Sequence, residues 1–329
     1  MSARRLLDSA ATLAATLTLA ALVLTAPSGP AGARVAGEGC VSGAAPVPLA
    51  AAPRVLADAA RSGCPVSGRV VTDGRLALVV PPAGTTVSGD GVGRSGEVRG
   101  VTVTNTGAGV RIVREPRHLG DDVSQRRTSP PACQDRTFHL EHHRWARGLR
   151  YQINLGAMPR RFHRKTVVAQ VKAANANMRK GRNTCGRARI TAPASHYLGR
   201  TSRRPNIGAS GPTCKSPDGS NVVGFGNLPQ GLLGWTCYWW GGNGRMIEAD
   251  MVIDNGKYLA TTLPSSCVNR WDFEGTVTHE WGHAYGMAHT GDGHANLTMQ
   301  HLLTPCSTYA RTLGLGDWLG MNKMYGHHR

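Results

Sequence analysis

Acidic residues are scarce: 20 Asp and Glu stand against 38 Lys and Arg, a formal net charge of +18 over 329 residues. The imbalance is concentrated. From Arg126 to Arg204 there are nineteen basic residues and only two acids, Asp135 and Glu141, a net of +17. Such a stretch favours an anionic neighbour, whether cell wall or acidic substrate. It lacks an aromatic stacking pattern and any nucleic-acid motif, so nucleic acid is not expected as a partner and a solvated basic face is the plainer reading. Long apolar runs are missing after residue 24, which excludes a stable membrane span beyond the N-terminus.

The one apolar run, from about Ala10 to Leu24, follows Arg4 and Arg5 and precedes Ala31-Gly32-Ala33. That order reads as a secretory signal over residues 1–33 with an A-x-A cleavage site, so a secreted, extracellular protein is expected; a monomer is expected as well. Eight cysteines fit the oxidising compartment that export implies. Hydrophobic residues make up 40% of the chain, enough for one or two domains with real cores.

Residues 34–65 are rich in Ala, Gly and Pro and read as a loop closed by Cys40 and Cys64. From Ser67 to about Glu115 the pattern is that of a small β region. Val70-Val71-Thr72 and Leu76-Ala77-Leu78-Val79-Val80 flank Asp73-Gly74, a hairpin signal. Val101 and Val103, then Val110 and Ile112, alternate with polar residues. Residues 34–116 thus form a β-rich prosegment or accessory region, and 117–132 a polar linker whose Arg126-Arg127 pair is a candidate processing site. From Cys133 onward a half-buried strand is expected at Leu149–Leu155 and an amphipathic helix through Val167, Val168, Val171, Ala174 and Met178. A second alternating strand, Ile247, Ala249, Met251 and Ile253 against Glu248, Asp250 and Asp254, could pair with an extended peptide if it lies at an edge.

One stretch carries chemistry. His279-Glu280-Trp281-Gly282-His283-Ala284-Tyr285-Gly286-Met287-Ala288-His289 reads H-E-x-x-H-x-x-G-x-x-H. On a helix, residues four apart share a face, so His279 and His283 can aim at one point. Glu280 sits beside that face, placed to take a proton from a metal-bound water. Gly286 accepts the left-handed backbone that ends a helix and brings His289 round as a third ligand. Three protein ligands with an open position describe a catalytic zinc site rather than a structural one. The histidines at 139, 142, 143, 294, 301, 327 and 328 read as solvated or supporting rather than as ligands.

This stretch resembles the signature of the metzincin metalloproteases. The order of the Tyr151-Gln152-Ile153 strand, a long helix, Asn221–Gly226 with Leu233-Gly234-Trp235-Thr236, Ile247–Val252, Trp271–Glu274 and Leu319–Gly326 is similar to a matrixin-type catalytic domain over about residues 143–326. The resemblance implies an α+β fold: a metzincin-type zinc protease domain over 133–329, with a twisted mixed sheet and long helices, preceded by the β-rich region. It implies a secreted zinc endopeptidase acting on protein or peptide substrates, one catalytic Zn2+, and a methionine turn at Met299. Calcium is a further implication, with Asp218 and Asp292 as candidates; a second zinc is not expected, because the family's histidine-bearing loop is absent. The six cysteines from Cys133 to Cys306 exceed the usual complement and are expected to form three bridges. Two departures matter. Gly316-Asp317 stands where that family carries two adjacent acids, and Ser62-Gly63-Cys64-Pro65 is a poor match to its inhibitory cysteine motif. Latency could instead come from the β region lying over the cleft. The alternative function is a secreted zinc-containing surface or cell-wall binding protein with little or no proteolytic activity.

Overall fold

Strands that are apolar on both faces need cover on both faces, and Leu232–Gly241 is the clearest case. In the computed structural model, which describes residues 40, 45–96, 100–115, 126–141, 143–208, 212–229 and 231–326, Trp235, Cys237 and Trp239 of this strand join one core. Tyr238 and Trp240 join the other. The strand lies inside an eight-stranded sheet with an apolar layer on either side.

The strands in chain order are β1 Val47–Pro48, β2 Val70–Thr72, β3 Ala77–Val79, β4 Thr85–Gly93, β5 Val101–Asn105, β6 Val110–Arg114, β7 His139–Leu140, β8 Leu149–Ile153 and β9 Ser195–Arg200. Then come β10 Thr213–Cys214, β11 Asn221–Gly226, β12 Leu232–Gly241, β13 Met246–Asp254, β14 Leu259–Ala260, β15 Trp271–Asp272 and β16 Met287–Ala288. The helices are α1 Ala52–Arg61, α2 Arg164–Arg179, α3 Phe273–Tyr285 and α4 Leu315–Tyr325. The large sheet runs β6-β5-β4-β12-β13-β11-β8-β9, and a four-stranded sheet runs β1-β2-β3-β10. The fold is mixed α/β with several sheets and few helices.

The two halves of the chain meet in the large sheet. β4 pairs antiparallel with β12 from Thr85↔Gly241 to Gly93↔Leu232, and β5 and β6 continue outward from it. The N-terminal β region therefore extends the sheet that carries β8, β11, β12 and β13. One core, with Val167, Val171 and Met178 of α2 and Val277 and Trp281 of α3, lies on one face. The other core brings Leu56 of α1, Val71 and Leu78 against Val87, Trp235 and Trp239.

Four disulfides tie the chain: Cys40–Cys64, Cys133–Cys185, Cys214–Cys237 and Cys267–Cys306. Cys64 is paired with Cys40, so its thiol cannot act as a metal plug. Among the described residues no helix is long and apolar enough to cross a membrane. The signal segment lies outside the described residues.

Several expectations need correcting. Residues 52–61, expected as loop, form α1, because Pro53 suits a first helical turn and Ala52 and Leu56 share a buried face. The hairpin at Asp73-Gly74 forms, with Gly74 at φ +89° and Asp73 accepting the amides of Arg75 and Leu76. β13 is not half-buried and is not an edge. It lies between β12 and β11, so Glu248 and Asp250 are buried and Ile247, at the strand's start, is 44% exposed. Within the linker, Arg127 is exposed, but the Arg126 guanidinium donates to Asn296 Oδ1 at 2.8 Å and sits over Tyr309.

Candidate metal centre

Asp272 starts the helix that carries the site: its carboxylate accepts the amide of Gly275 at 2.7 Å, satisfying a free donor of the first turn. α3 ends at Gly286 with φ +101°, and a Cβ there would press on the carbonyl of His143 at 2.5 Å. β16 then pairs with β7, and the chain delivers His289 against the helix.

The three histidines converge. Nε2 of His279 lies 3.0 Å from Nε2 of His283 and 3.2 Å from Nε2 of His289. Each outer nitrogen has its own acceptor. Nδ1 of His279 meets the Thr298 carbonyl at 2.7 Å, Nδ1 of His283 the Met287 carbonyl at 3.1 Å, and Nδ1 of His289 the Glu115 carboxylate at 3.1 Å. With Nδ1–H donating outward, every Nε2 presents a lone pair to the shared point. Three lone pairs this close repel unless a cation lies between them. Tetrahedral ligands about 2.0–2.1 Å from one zinc ion would stand roughly 3.3 Å apart, close to what is seen. The donor set therefore fits a metal ion, and it is one of two groups among the described residues that could hold one; the other is Asp90, Glu115 and His289. Burial holds the imidazoles of His279 and His283 well below their usual pKa, so they are neutral.

Glu280 is wholly buried beside the triad. Its Oε2 accepts from the Thr236 hydroxyl at 2.6 Å and its Oε1 from the Val92 amide at 3.0 Å. Burial pushes its carboxyl up to about 8, only partly opposed by those two hydrogen bonds. Asp90, one strand position from Gly91, stands 3.5 Å from Nδ1 of His289 and 3.7 Å from Nδ1 of His283. It approaches the rings from their outer side. Burial, and then the neighbouring Glu115, raise the Asp90 carboxyl well above the usual range.

Met299 is buried under the helix. A Cβ on Gly282 would collide with its sulfur, so Gly282 is needed for this approach. The loop that carries Met299 hangs from α4: Asp317 accepts the amides of Thr298 at 2.7 Å, Met299 at 3.0 Å and Gly314 at 2.9 Å. A side chain at Gly316 would run into the backbone of Thr137, which explains why glycine rather than a second acid stands before Asp317.

The structure thus brings together His279, Glu280, His283, His289 and Met299. It does not bring Asp218 or Asp292 into any metal-sized group among the described residues; Asp218 pairs with Arg203 at 2.9 Å. His143 and His301 are buried rather than solvated. His143 stacks near Tyr238 and Trp240, and His301 lies near His289. His142, His327 and His328 lie outside the described residues. Reading the sequence missed Asp90, Glu115, Thr236 and Val92. The one available signal was Gly89-Asp90-Gly91. A Cβ at Gly89 would meet the Cys214 sulfur at 2.7 Å, and one at Gly91 would strike the Gly234 carbonyl, so only glycines let β4 seat Asp90 here.

No known protein-family model matches the chain. No curated protein matches it either. Among solved structures it has a distant likeness to metalloproteinase-II from Bacteroides fragilis, at 11% identity and a TM-score of 0.31, covering 71% of this chain and 75% of that one. A likeness at that level carries no weight for fold or activity.

Proposed function

We propose that the chain is a secreted, zinc-dependent endopeptidase of the metzincin kind, with a matrixin-like domain over residues 133–329. The observation that carries this reading is the convergence of three imidazoles, with Nε2 of His279 3.0 Å from Nε2 of His283 and 3.2 Å from that of His289, beside the buried Glu280. A zinc ion held by His279, His283 and His289 would supply a Lewis acid and bring a bound water's pKa towards neutrality. Glu280 is the general base: it takes the proton of the attacking water and returns it to the leaving amine. Met299 is the apolar floor under the imidazoles.

In the intact chain Glu280 is engaged by Val92 and Thr236, and β4 lies along β12. We read residues 34–116 as a prosegment that covers the site, residues 1–33 as the signal and 117–132 as the connection cut on activation. The exposed Arg150, Arg160 and Lys165 leave the basic segment open to an anionic surface, a secondary role that charge reversal and salt-dependent wall binding would test.

The deciding measurement is metal content and casein cleavage of the secreted protein, beside Glu280→Gln and a chelator control. Glu280→Gln should keep about one zinc per chain and lose turnover by about 10²–10⁴-fold, whereas His283→Ala should lose both. Cleavage by Glu280→Gln at the wild-type rate would end this mechanism.

A further inference from the structure

The three outer nitrogens are not held alike. His279 and His283 lean on carbonyls of their own neighbourhood, Thr298 and Met287, 19 and 4 residues away. His289 leans on Glu115, 174 residues earlier and at the end of β6. His289 is 5% exposed, so water is a poor substitute for that acceptor.

Glu115 is itself set in place. Its backbone amide donates to the Gly100 carbonyl at 2.9 Å, and its Oε2 accepts the Gly100 amide at 3.2 Å. A Cβ on Gly100 would stand 2.8 Å from the Glu115 carboxyl carbon and 3.0 Å from that of Asp90, so this glycine makes the room in which both acids reach the ring. The start of β5 and the end of β6 together form a seat for one carboxylate, aimed at one imidazole.

From this geometry we infer that Glu115 is the positioning residue of the third metal ligand, so that the N-terminal β region completes the metal centre besides covering it. The inference rests on His289 being a ligand, as the proposed function has it. Glu115 accepts from Nδ1–H of His289, fixes the ring's tautomer and rotation, and strengthens Nε2 as a donor. Because binding at one end must favour the other equally, a metal ion at the triad also stabilises the docking of β4–β6. The region and the metal hold one another.

The test uses the full chain. Zinc affinity is measured by competition with a chromophoric chelator for the wild type, Glu115→Ala, Glu115→Gln and Arg114→Ala, whose side chain is exposed on the neighbouring position. Cobalt(II) spectra and the Nδ1–H signal of His289 are read beside it. Glu115→Ala should weaken zinc by about 10–100-fold and alter the cobalt spectrum and the His289 signal. Glu115→Gln, which keeps an acceptor oxygen, should recover part of the loss, and Arg114→Ala should bind as the wild type does. A Glu115→Ala chain that binds zinc within about twofold of the wild type, with unchanged cobalt spectrum, would overturn the inference. So would a Glu115→Gln chain no better than Ala, should it fold as well. These readouts do not depend on cleavage. A wild type that never cuts casein while zinc still depends on Glu115 would remove the peptidase reading and leave this one standing.

Discussion

Val92 donates its backbone N–H to Oε1 of Glu280 at 3.0 Å, across 188 residues of chain. The donor belongs to β4, and the acceptor is the group proposed to move the proton. That contact occupies one carboxyl oxygen of Glu280, and the strand that makes it lies on β12 for its whole length.

Cutting the chain after the exposed Arg127 should therefore raise casein turnover at saturating zinc by at least about tenfold, once β4 leaves β12. Turnover before and after limited trypsin treatment checks this, with mass spectrometry locating the nick. Equal rates would mean that β4 is not an obstacle. Zinc affinity should fall in the nicked form, because Glu115 leaves with β6.

Asp317 receives two backbone amides from the loop under α3, those of Thr298 and Met299, and a third from Gly314 at the start of its own helix. Asp317→Ala should cost about 2–4 kcal/mol, since buried donors are left without an acceptor. Asp317→Asn, keeping one acceptor oxygen, should cost less. Urea unfolding of the three proteins gives the comparison; an Ala variant as stable as the wild type would show that water replaces the carboxylate.

Glu141, whose amide donates to the Gly286 carbonyl at 2.9 Å, has its carboxyl pushed up to about 7 by burial and then by the charge of Glu115. The folded state binds this proton more tightly than the unfolded one, so the contribution to stability is present below about pH 4.5 and is lost as pH rises towards 7. The Tm advantage of Glu141→Gln over the wild type should thus grow between pH 4.5 and 7 and level off above. A difference independent of pH would refute it.

The bridge Cys267–Cys306 spans 39 residues that include α3, His289 and Met299. Replacing both cysteines by serine should lower stability by about 4 kcal/mol if chain entropy dominates, and by less if the unfolded loop stays compact. Thermal unfolding with zinc and with chelator separates two roles: zinc adds the same increment to both proteins if the bridge only restrains the unfolded chain, and less to the variant if the bridge also shapes the site.

The sequence by itself determined whatever rests on neighbours along the chain. The four-residue spacing of His279 and His283 and the left-handed turn at Gly286 are local geometry, and they were legible at once. So were α2, β8 and the hairpin at Asp73-Gly74, whose periods and turn residues are short-range. Tertiary structure alone decided what those elements face. Glu248 and Asp250 look solvent-facing by alternation, yet β13 is enclosed by β11 and β12 and both acids are buried. Helix α1 hid in an Ala/Gly/Pro-rich stretch because its stability comes from packing Leu56 into a core built from distant strands. Above all, Val92 on Glu280 and Glu115 on His289 join residues 188 and 174 apart. No periodicity links such positions; the pairing of β4 with β12 and of β5 with β4 and β6 brings them together, and those are properties of the assembled sheet.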